Sequence, residues 1–343
     1  MTTAPIRIGV LSFAHYHANF WSEVFAKSGV LEGIWDDDAA RGREAASRFG
    51  VGHTSDLDAL LERCTAVAIC SETVNHRALI HKAATRKLAV LCEKPLGTSV
   101  DDCERIRNVV RSTGITFMQS FPKRFDPVSH WLRSLVDDGT LGTITLARIR
   151  HGHFYGLQDD FRDRWYVDPV KSGGGALLDE GVHGADLLAW LFGTPESVSA
   201  MTSDAALKLP VEDLGLATFR WKNGMLAELA SSFTFAAADT SIELYGTKGT
   251  ALVSAVDLAS KEITGEGFVR LYLTAQPERA WQTMDLIPRF RIGEFHHQNA
   301  IAFVDSLERS VEPPITIDDG VRAVKMIMAA YRAAATGQQQ GIE

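Results

Sequence analysis

The stretch Ile6-Arg7-Ile8-Gly9-Val10-Leu11-Ser12-Phe13-Ala14-His15-Tyr16-His17 is a short β-branched run that ends in a turn, with a helix pattern at Ala18–Ser28 behind it. A second strand, Val30–Trp35, follows and ends on Asp36-Asp37-Asp38. The alternation then continues: helix 39–49, helix 57–63, strand 66–70, helix 76–86, strand 89–92, helix 100–113 and strand 116–120. Strands separated by helices of this length pair in parallel through right-handed crossovers. Residues 1–121 therefore read as an NAD(P)-binding Rossmann domain, a doubly wound parallel sheet of the α/β class.

From residue 122 the texture changes. A helix at 128–138 and a strand at 143–153 precede strands at 216–221, 225–234, 241–246 and 249–253, with turns at Asn223-Gly224 and Lys248-Gly249. Helices at 295–309 and 318–336 close the chain, and the tail 338–340 is expected to fray. The expectation for 122–343 is a substrate-binding and oligomerisation α+β domain with a large, mainly antiparallel open sheet. Phe219, Leu226, Leu229, Phe233 and Phe235 are expected on its open face, so a homodimer or homotetramer is expected to form through that sheet.

Composition narrows the class. The chain has 343 residues, 45% of them hydrophobic and 23% charged, and a formal net charge of −8. That length suits two globular domains, and the charge leaves no basic stripe for nucleic acid. Met1–Pro5 shows no leader pattern and no run reaches membrane-spanning length, so a cytoplasmic protein without a membrane partner is expected. Cys64, Cys70, Cys92 and Cys103 lack metal or redox spacing and read as reduced core residues. The pairs His15/His17, His151/His153 and His296/His297 join no ligand set of convincing spacing, so no metal is expected.

The turn after the first strand departs from the G-x-G-x-x-G pattern of dinucleotide folds, with Ser12, Ala14 and His17 at the glycine positions and Phe13 and His15 between them. The first two residues are small enough for close backbone approach, and His17 offers a side chain to phosphate. Asp36 stands where a carboxylate takes ribose hydroxyls, and Asp37 and Asp38 repel a ribose phosphate, so NAD is favoured over NADP. Arg41 and Arg43 weigh against that preference but read as solvated first-turn residues.

In Gly173-Gly174-Gly175-Ala176-Leu177-Leu178-Asp179-Glu180-Gly181-Val182-His183-Gly184-Ala185-Asp186, the residues Asp179, His183 and Asp186 fall at i, i+4 and i+7 and are expected on one helix face. A carboxylate there accepts the imidazole proton, which leaves the other ring nitrogen for proton transfer near neutrality.

Leu91-Cys92-Glu93-Lys94-Pro95-Leu96 sets Lys94 just past an apolar strand. With Ile69–His76, Arg124-Phe125-Asp126-Pro127 and Gly173–Asp186, it makes the chain resemble the Gfo/Idh/MocA family of dehydrogenases over residues 5 to 335. The resemblance implies a two-domain enzyme that uses a nicotinamide cofactor on a polyol or sugar, with Lys94, Asp179 and His183 at the catalytic positions. The cofactor set it implies is Ser12, Phe13, Ala14, His15, His17, Asp36, Asp37, Ser71, Glu72, Asn75, His76, Glu93 and Lys94. Substrate candidates are Lys94, Arg124, His153, Tyr155, Trp165, Asp179 and His183, with Tyr166 and His297 as further candidates. The expected activity is hydride transfer between a secondary alcohol of a sugar, sugar derivative or cyclitol and NAD. Two alternatives stay open: an NAD-recycling, glycoside-cleaving enzyme acting by transient sugar oxidation, and a non-enzymatic sugar- or nucleotide-binding protein.

Overall fold

The computed structural model describes residues 5–237, 240–256, 267–286 and 293–342. The chain forms two compact units, one made of Met1–Pro122 with Ile292–Val321 and the other of Lys123–Arg291 with Arg322–Glu343.

The first unit is built on β1 (Ile8–Leu11), β2 (Leu31–Trp35), β3 (His53–Thr54), β4 (Ala66–Ile69), β5 (Ala89–Cys92) and β6 (Phe117–Gln119), in the order β3-β2-β1-β4-β5-β6. All pairs are parallel, with Leu11 opposite both Trp35 and Ile69 and with Ile69 opposite Cys92. The connecting helices are α1 (Ala18–Lys27), α2 (Ala39–Phe49), α3 (Leu57–Leu61), α4 (His76–Thr85) and α5 (Val100–Thr113). β1, β4 and β5 are buried along their whole length, as expected where helices cover both faces of a parallel sheet. The helix starts are written locally. The Asp38 carboxylate accepts the N–H groups of Ala40 and Arg41, Ser99 accepts that of Asp102, and Gly50 and Gly114 end α2 and α5 in the left-handed conformation. Within the same unit the later helix Glu294–Arg309 packs on α1.

The second unit opens with α6 (Pro127–Asp137), started by the Asp126 side chain, and continues into β7 (Ile144–His151). The short helices α7 (Pro169–Ser172) and α8 (Ala176–Asp179) lead into α9 (Gly181–Phe192). Next come β8 (Ser197–Ser203), β9 (Leu214–Arg220), β10 (Leu226–Ser232), β11 (Thr240–Gly246), β12 (Gly249–Val256), β13 (Val269–Leu273), β14 (Gln282–Thr283) and β15 (Gln340–Gly341). They form one sheet in the order β14-β13-β12-β11-β7-β10-β9-β8-β15, antiparallel except where β10 runs parallel to β7. The expected fold class, a Rossmann-type unit with a large and mainly antiparallel second sheet, is what the chain adopts.

Three expectations need correction. The tail does not fray: Gln340 and Gly341 pair with Val198 and Ser197. Asp179 and His183 do not share one helix, because the backbone breaks at Glu180 between α8 and α9. Phe219, Leu229 and Phe233 are buried rather than on an open face. α9 covers their side of the sheet so closely that a Cβ at Gly184 would lie 2.3 Å from Leu229 Cδ1. Leu226 is on the uncovered side. No helix among the described residues is long and apolar enough to cross a membrane.

Candidate functional site

In the first unit the expected cofactor residues gather at the C-terminal ends of β1, β2, β4 and β5, where an open α/β sheet of this strand order receives its ligand. Ser12 turns the chain with φ of 72°, a conformation usually left to glycine. Its Oγ accepts the Ala14 N–H at 3.2 Å and an Arg41 Nη2 proton at 3.2 Å. Phe13 N–H donates to Asp36 Oδ2 at 2.7 Å, and His15 N–H donates to the Cys70 carbonyl at 3.0 Å, which ties β1 to β4.

Asp36 is buried at the end of β2. Burial alone would raise its pKa, but hydrogen bonds from Arg41 and from the backbone of Phe13 and Asp38 hold it below the usual carboxylate value. Asp37, the more exposed of the two, shifts the opposite way through burial and its acidic neighbours Asp36 and Glu72. Arg41 is not the solvated residue the sequence suggested: Nη2 lies 2.7 Å from Asp36 Oδ1 and 2.9 Å from Asp37 Oδ1.

His17 turns to Glu93, with Nδ1 3.2 Å from Oε1. Its ring centroid is 4.1 Å from that of His15 and 3.7 Å from that of His296. Burial pushes the pKa of Glu93 up, against the pull of Lys94 and His296. Burial, then the proximity of His17, pushes that of His296 far down. His296 is a site residue that sequence reasoning missed, because nothing local signals that the helix Glu294–Arg309 delivers it to this turn.

Lys94 is buried one residue further on, in a turn held from two sides. Gln119 Nε2 donates to the carbonyls of Cys92 and Glu93 at 3.0 and 3.1 Å. His76, kept neutral by burial, has Nδ1 3.0 Å from the Pro95 carbonyl and Nε2 3.3 Å from that of Ser71. A neutral imidazole carries one N–H, so His76 lies between the loop after β4 and the lysine turn and donates to one of these carbonyls only. In that loop Ser71 Oγ bonds the Glu72 carbonyl at 3.1 Å, and Asn75 Nδ2 bonds Glu72 Oε2 at 3.3 Å.

These residues fit a dinucleotide. The left-handed turn at Ser12 supplies the backbone shape of the missing first glycine. α1 starts directly after this turn and points the positive end of its dipole there, which favours an anion, and Asp36, held below the usual carboxylate pKa, closes β2 with Asp37.

In the second unit the glycine run is a clamp. A Cβ on Gly174 would meet Tyr331 Oη at 2.4 Å, and one on Gly175 would meet the Glu212 carbonyl oxygen at 2.1 Å. Glu212 accepts the N–H groups of Gly175 (3.0 Å) and Leu177 (2.9 Å), and the Tyr331 hydroxyl donates to Glu212 at 2.6 Å. Gly175 and Leu178 N–H donate back to the same hydroxyl at 3.2 and 3.1 Å. This anchor sets the start of α8, and after the break at Glu180 it presents His183 in the first turn of α9.

His183 is buried beside His151, their ring centroids 5.1 Å apart. Glu180 Oε2 lies 3.2 Å from His151 Nε2, and Oε1 lies 4.0 Å from His153 Nε2. Asp179 joins His153 and Glu180, with candidate ligand atoms of the three within 4.8 Å of one another. The expected residues Asp179, His183 and His153 are therefore brought together, but by Glu180 and His151, which the sequence reading did not single out. The available signal was His151-x-His153 at a strand end, since residues two apart on a strand share a face.

Other candidates take structural partners. Arg124 Nε and Nη2 bond the buried Asp186 carboxylate at 2.9 and 2.5 Å, which also commits Asp186. Tyr155 packs on a cluster that includes Phe161, Leu207 and Phe233, and the Trp165 ring lies tilted against that of Tyr166, centroids 4.2 Å apart. His297 pairs with Glu23 on α1 at 2.8 Å.

Residues 7–121 match the oxidoreductase family with an NAD-binding Rossmann fold, and residues 130–252 match the Gfo/Idh/MocA C-terminal domain. A 1,5-anhydro-D-fructose reductase of Ensifer adhaerens is 27% identical over 93% of this chain and 92% of its own. An inositol 2-dehydrogenase of Rhizobium meliloti is 28% identical over 88% of this chain and 86% of its own. A levoglucosan dehydrogenase solved in complex with NADH shares the fold, with a TM-score of 0.86 at 19% identity over 98% of this chain and 99% of its own. With both domain matches in place and the fold described, the chain belongs to the Gfo/Idh/MocA family of NAD-binding oxidoreductases.

Proposed function

We propose that the protein transfers a hydride between a secondary alcohol of a sugar, sugar derivative or cyclitol and NAD, with NADP the poorer cofactor. The observation that carries this reading is the buried Lys94 at the C-terminal end of β5, in a chain whose relatives include a reductase of 1,5-anhydro-D-fructose and an inositol dehydrogenase. In this reading residues 1–121, joined by the helix Glu294–Arg309, carry the cofactor and the rest of 122–343 the substrate.

NAD, when bound, supplies the hydride acceptor. His183 takes the hydroxyl proton as the carbinol C–H bond breaks and the carbonyl forms. Lys94 donates a hydrogen bond to a substrate oxygen, and Asp179 orients the imidazole or a neighbouring hydroxyl. Asp36 and Asp37 serve the adenosine ribose, and Ser12 to His17 serve the pyrophosphate.

The test is turnover of a panel of sugars and inositols, followed by nicotinamide absorbance. His183→Ala and Lys94→Ala are each expected to lose about 10²–10⁴-fold in kcat. Turnover unchanged in both variants refutes the assignment.

A further inference from the structure

The second unit holds a group of ligating side chains that proton transfer alone does not require. We infer that His151, Glu180 and His183 form a binding site for one divalent first-row transition cation of the zinc class. All three residues are buried, and the atoms they offer lie within 4.8 Å of one another. His151 Nε2 and Glu180 Oε2 are 3.2 Å apart, close to the roughly 3.3 Å that separates neighbouring ligands on a tetrahedral ion with bonds of about 2 Å.

The surroundings also suit a metal. His151 Nδ1 lies 3.1 Å from the hydroxyl of Thr240, its partner across the strand pair β7–β11. Donation of the Nδ1 proton to that hydroxyl leaves the Nε2 lone pair facing Glu180, the outer arrangement typical of metal-bound histidine. His153 is excluded from the inner set. Its Nδ1 accepts the Tyr155 N–H at 3.2 Å, so the neutral ring carries its proton on Nε2, the nitrogen facing Glu180. That nitrogen, 4.0 Å from Glu180 Oε1, carries a proton and offers a cation no lone pair, so His153 is not a ligand. Two imidazoles and one carboxylate favour zinc, cobalt or ferrous iron over magnesium, and three protein ligands leave a position for water or a substrate oxygen. The group His15, His17 and Glu93 offers a similar count, but it belongs to the nucleotide turn and His15 Nδ1 already accepts the His17 N–H.

This site goes beyond the proposed dehydrogenase and restrains it. A neutral imidazole has one lone pair, so a cation on either nitrogen of His183 removes its capacity to take a proton. Zinc is therefore expected to inhibit turnover, and a chelator to restore it.

The test uses the full chain, stripped with chelator and without substrate or NAD. Zinc is titrated by calorimetry, and cobalt by its visible absorption. One ion per chain is expected, with the intense cobalt bands of a four- or five-coordinate site. His151→Ala and Glu180→Gln should each weaken binding at least 100-fold, Thr240→Val about 10-fold, and His15→Ala not at all. Circular dichroism melts confirm that each variant is folded. No bound ion, or an ion whose affinity survives both His151→Ala and Glu180→Gln in folded protein, overturns the site. The readout needs no turnover, so a chain that binds the ion yet oxidises no sugar, or the reverse, separates failure of this inference from failure of the proposed function.

Discussion

Arg41 grips Asp36 at two points, with Nε 2.9 Å from Oδ2 and Nη2 2.7 Å from Oδ1, and the same guanidinium reaches Asp37 Oδ1 at 2.9 Å. A cation that would suit a ribose phosphate is thus held by two carboxylates that repel one. Replacing the more exposed acid by Asp37→Ser loosens that hold and removes a like charge. The ratio of kcat/KM with NADP to that with NAD is expected to rise about 10-fold, roughly 1.4 kcal/mol of discrimination. A ratio that stays the same or falls would show that this pair does not set cofactor choice.

Glu93 gives a pH-dependent prediction. The carboxylate is buried among His17, His76, Lys94 and His296, and burial raises its pKa above the ordinary 4.5. A carboxyl group with a raised folded-state pKa favours folding fully below its unfolded value, and that contribution fades as pH rises through the folded value. Glu93→Gln stays neutral throughout. Its denaturation midpoint should match that of the parent near pH 4 and exceed it increasingly toward pH 7. A variant that instead loses ground to the parent as pH rises contradicts the sign.

Gly175 gives a prediction of stability. A methyl group there would sit 2.1 Å from a backbone oxygen of Glu212, a neighbour that cannot swing aside. Gly175→Ala should cost on the order of 3 kcal/mol and lower the melting temperature by about 6–12 °C. Gly50→Ala is the contrast: nothing lies within 4 Å of its Cβ, and the expected cost of about 1 kcal/mol comes from its positive φ of 67° alone. Equal losses in the two variants would remove the clamp as the reason for the glycine.

The first unit was legible because its strands are short apolar runs bounded by capping residues, such as Ile69 before Cys70-Ser71 and Cys92 before Glu93-Lys94-Pro95. β3 has only two residues, His53 and Thr54, too few to show a period. β8, Ser197-Val-Ser-Ala-Met-Thr-Ser, is mostly polar and is a strand because β9 and β15 pair with it. The parallel pairing of β7 with β10 joins residues about 80 positions apart, which no local pattern encodes. The start of α8 is fixed by Glu212 and Tyr331, which are distant in sequence, so no local pattern marks it. Lys94 and His183 were readable from motifs. Glu93 was readable with Lys94, whereas His296, Glu180 and His151 acquire meaning only once the chain has brought them together.

The uncovered face of the large sheet gives the last prediction. Met201 is 77% exposed, Leu226 42% and Leu216 41%, although all three stand on strands in the body of the sheet. Between β7, β10 and β11 the face also carries Arg148, 3.2 Å from Glu228 and 3.4 Å from Glu243. Apolar side chains around mixed charges make a surface that a second copy of the chain can cover, since each charge finds its opposite on an identical face. Sedimentation velocity at micromolar concentration should therefore show a dimer or tetramer. The double variant Leu216→Arg with Leu226→Arg should sediment as a monomer with its circular dichroism spectrum unchanged, because both side chains already meet solvent in the single chain. A parent protein that is monomeric at that concentration, or a variant that assembles as the parent does, rules out this face as the contact.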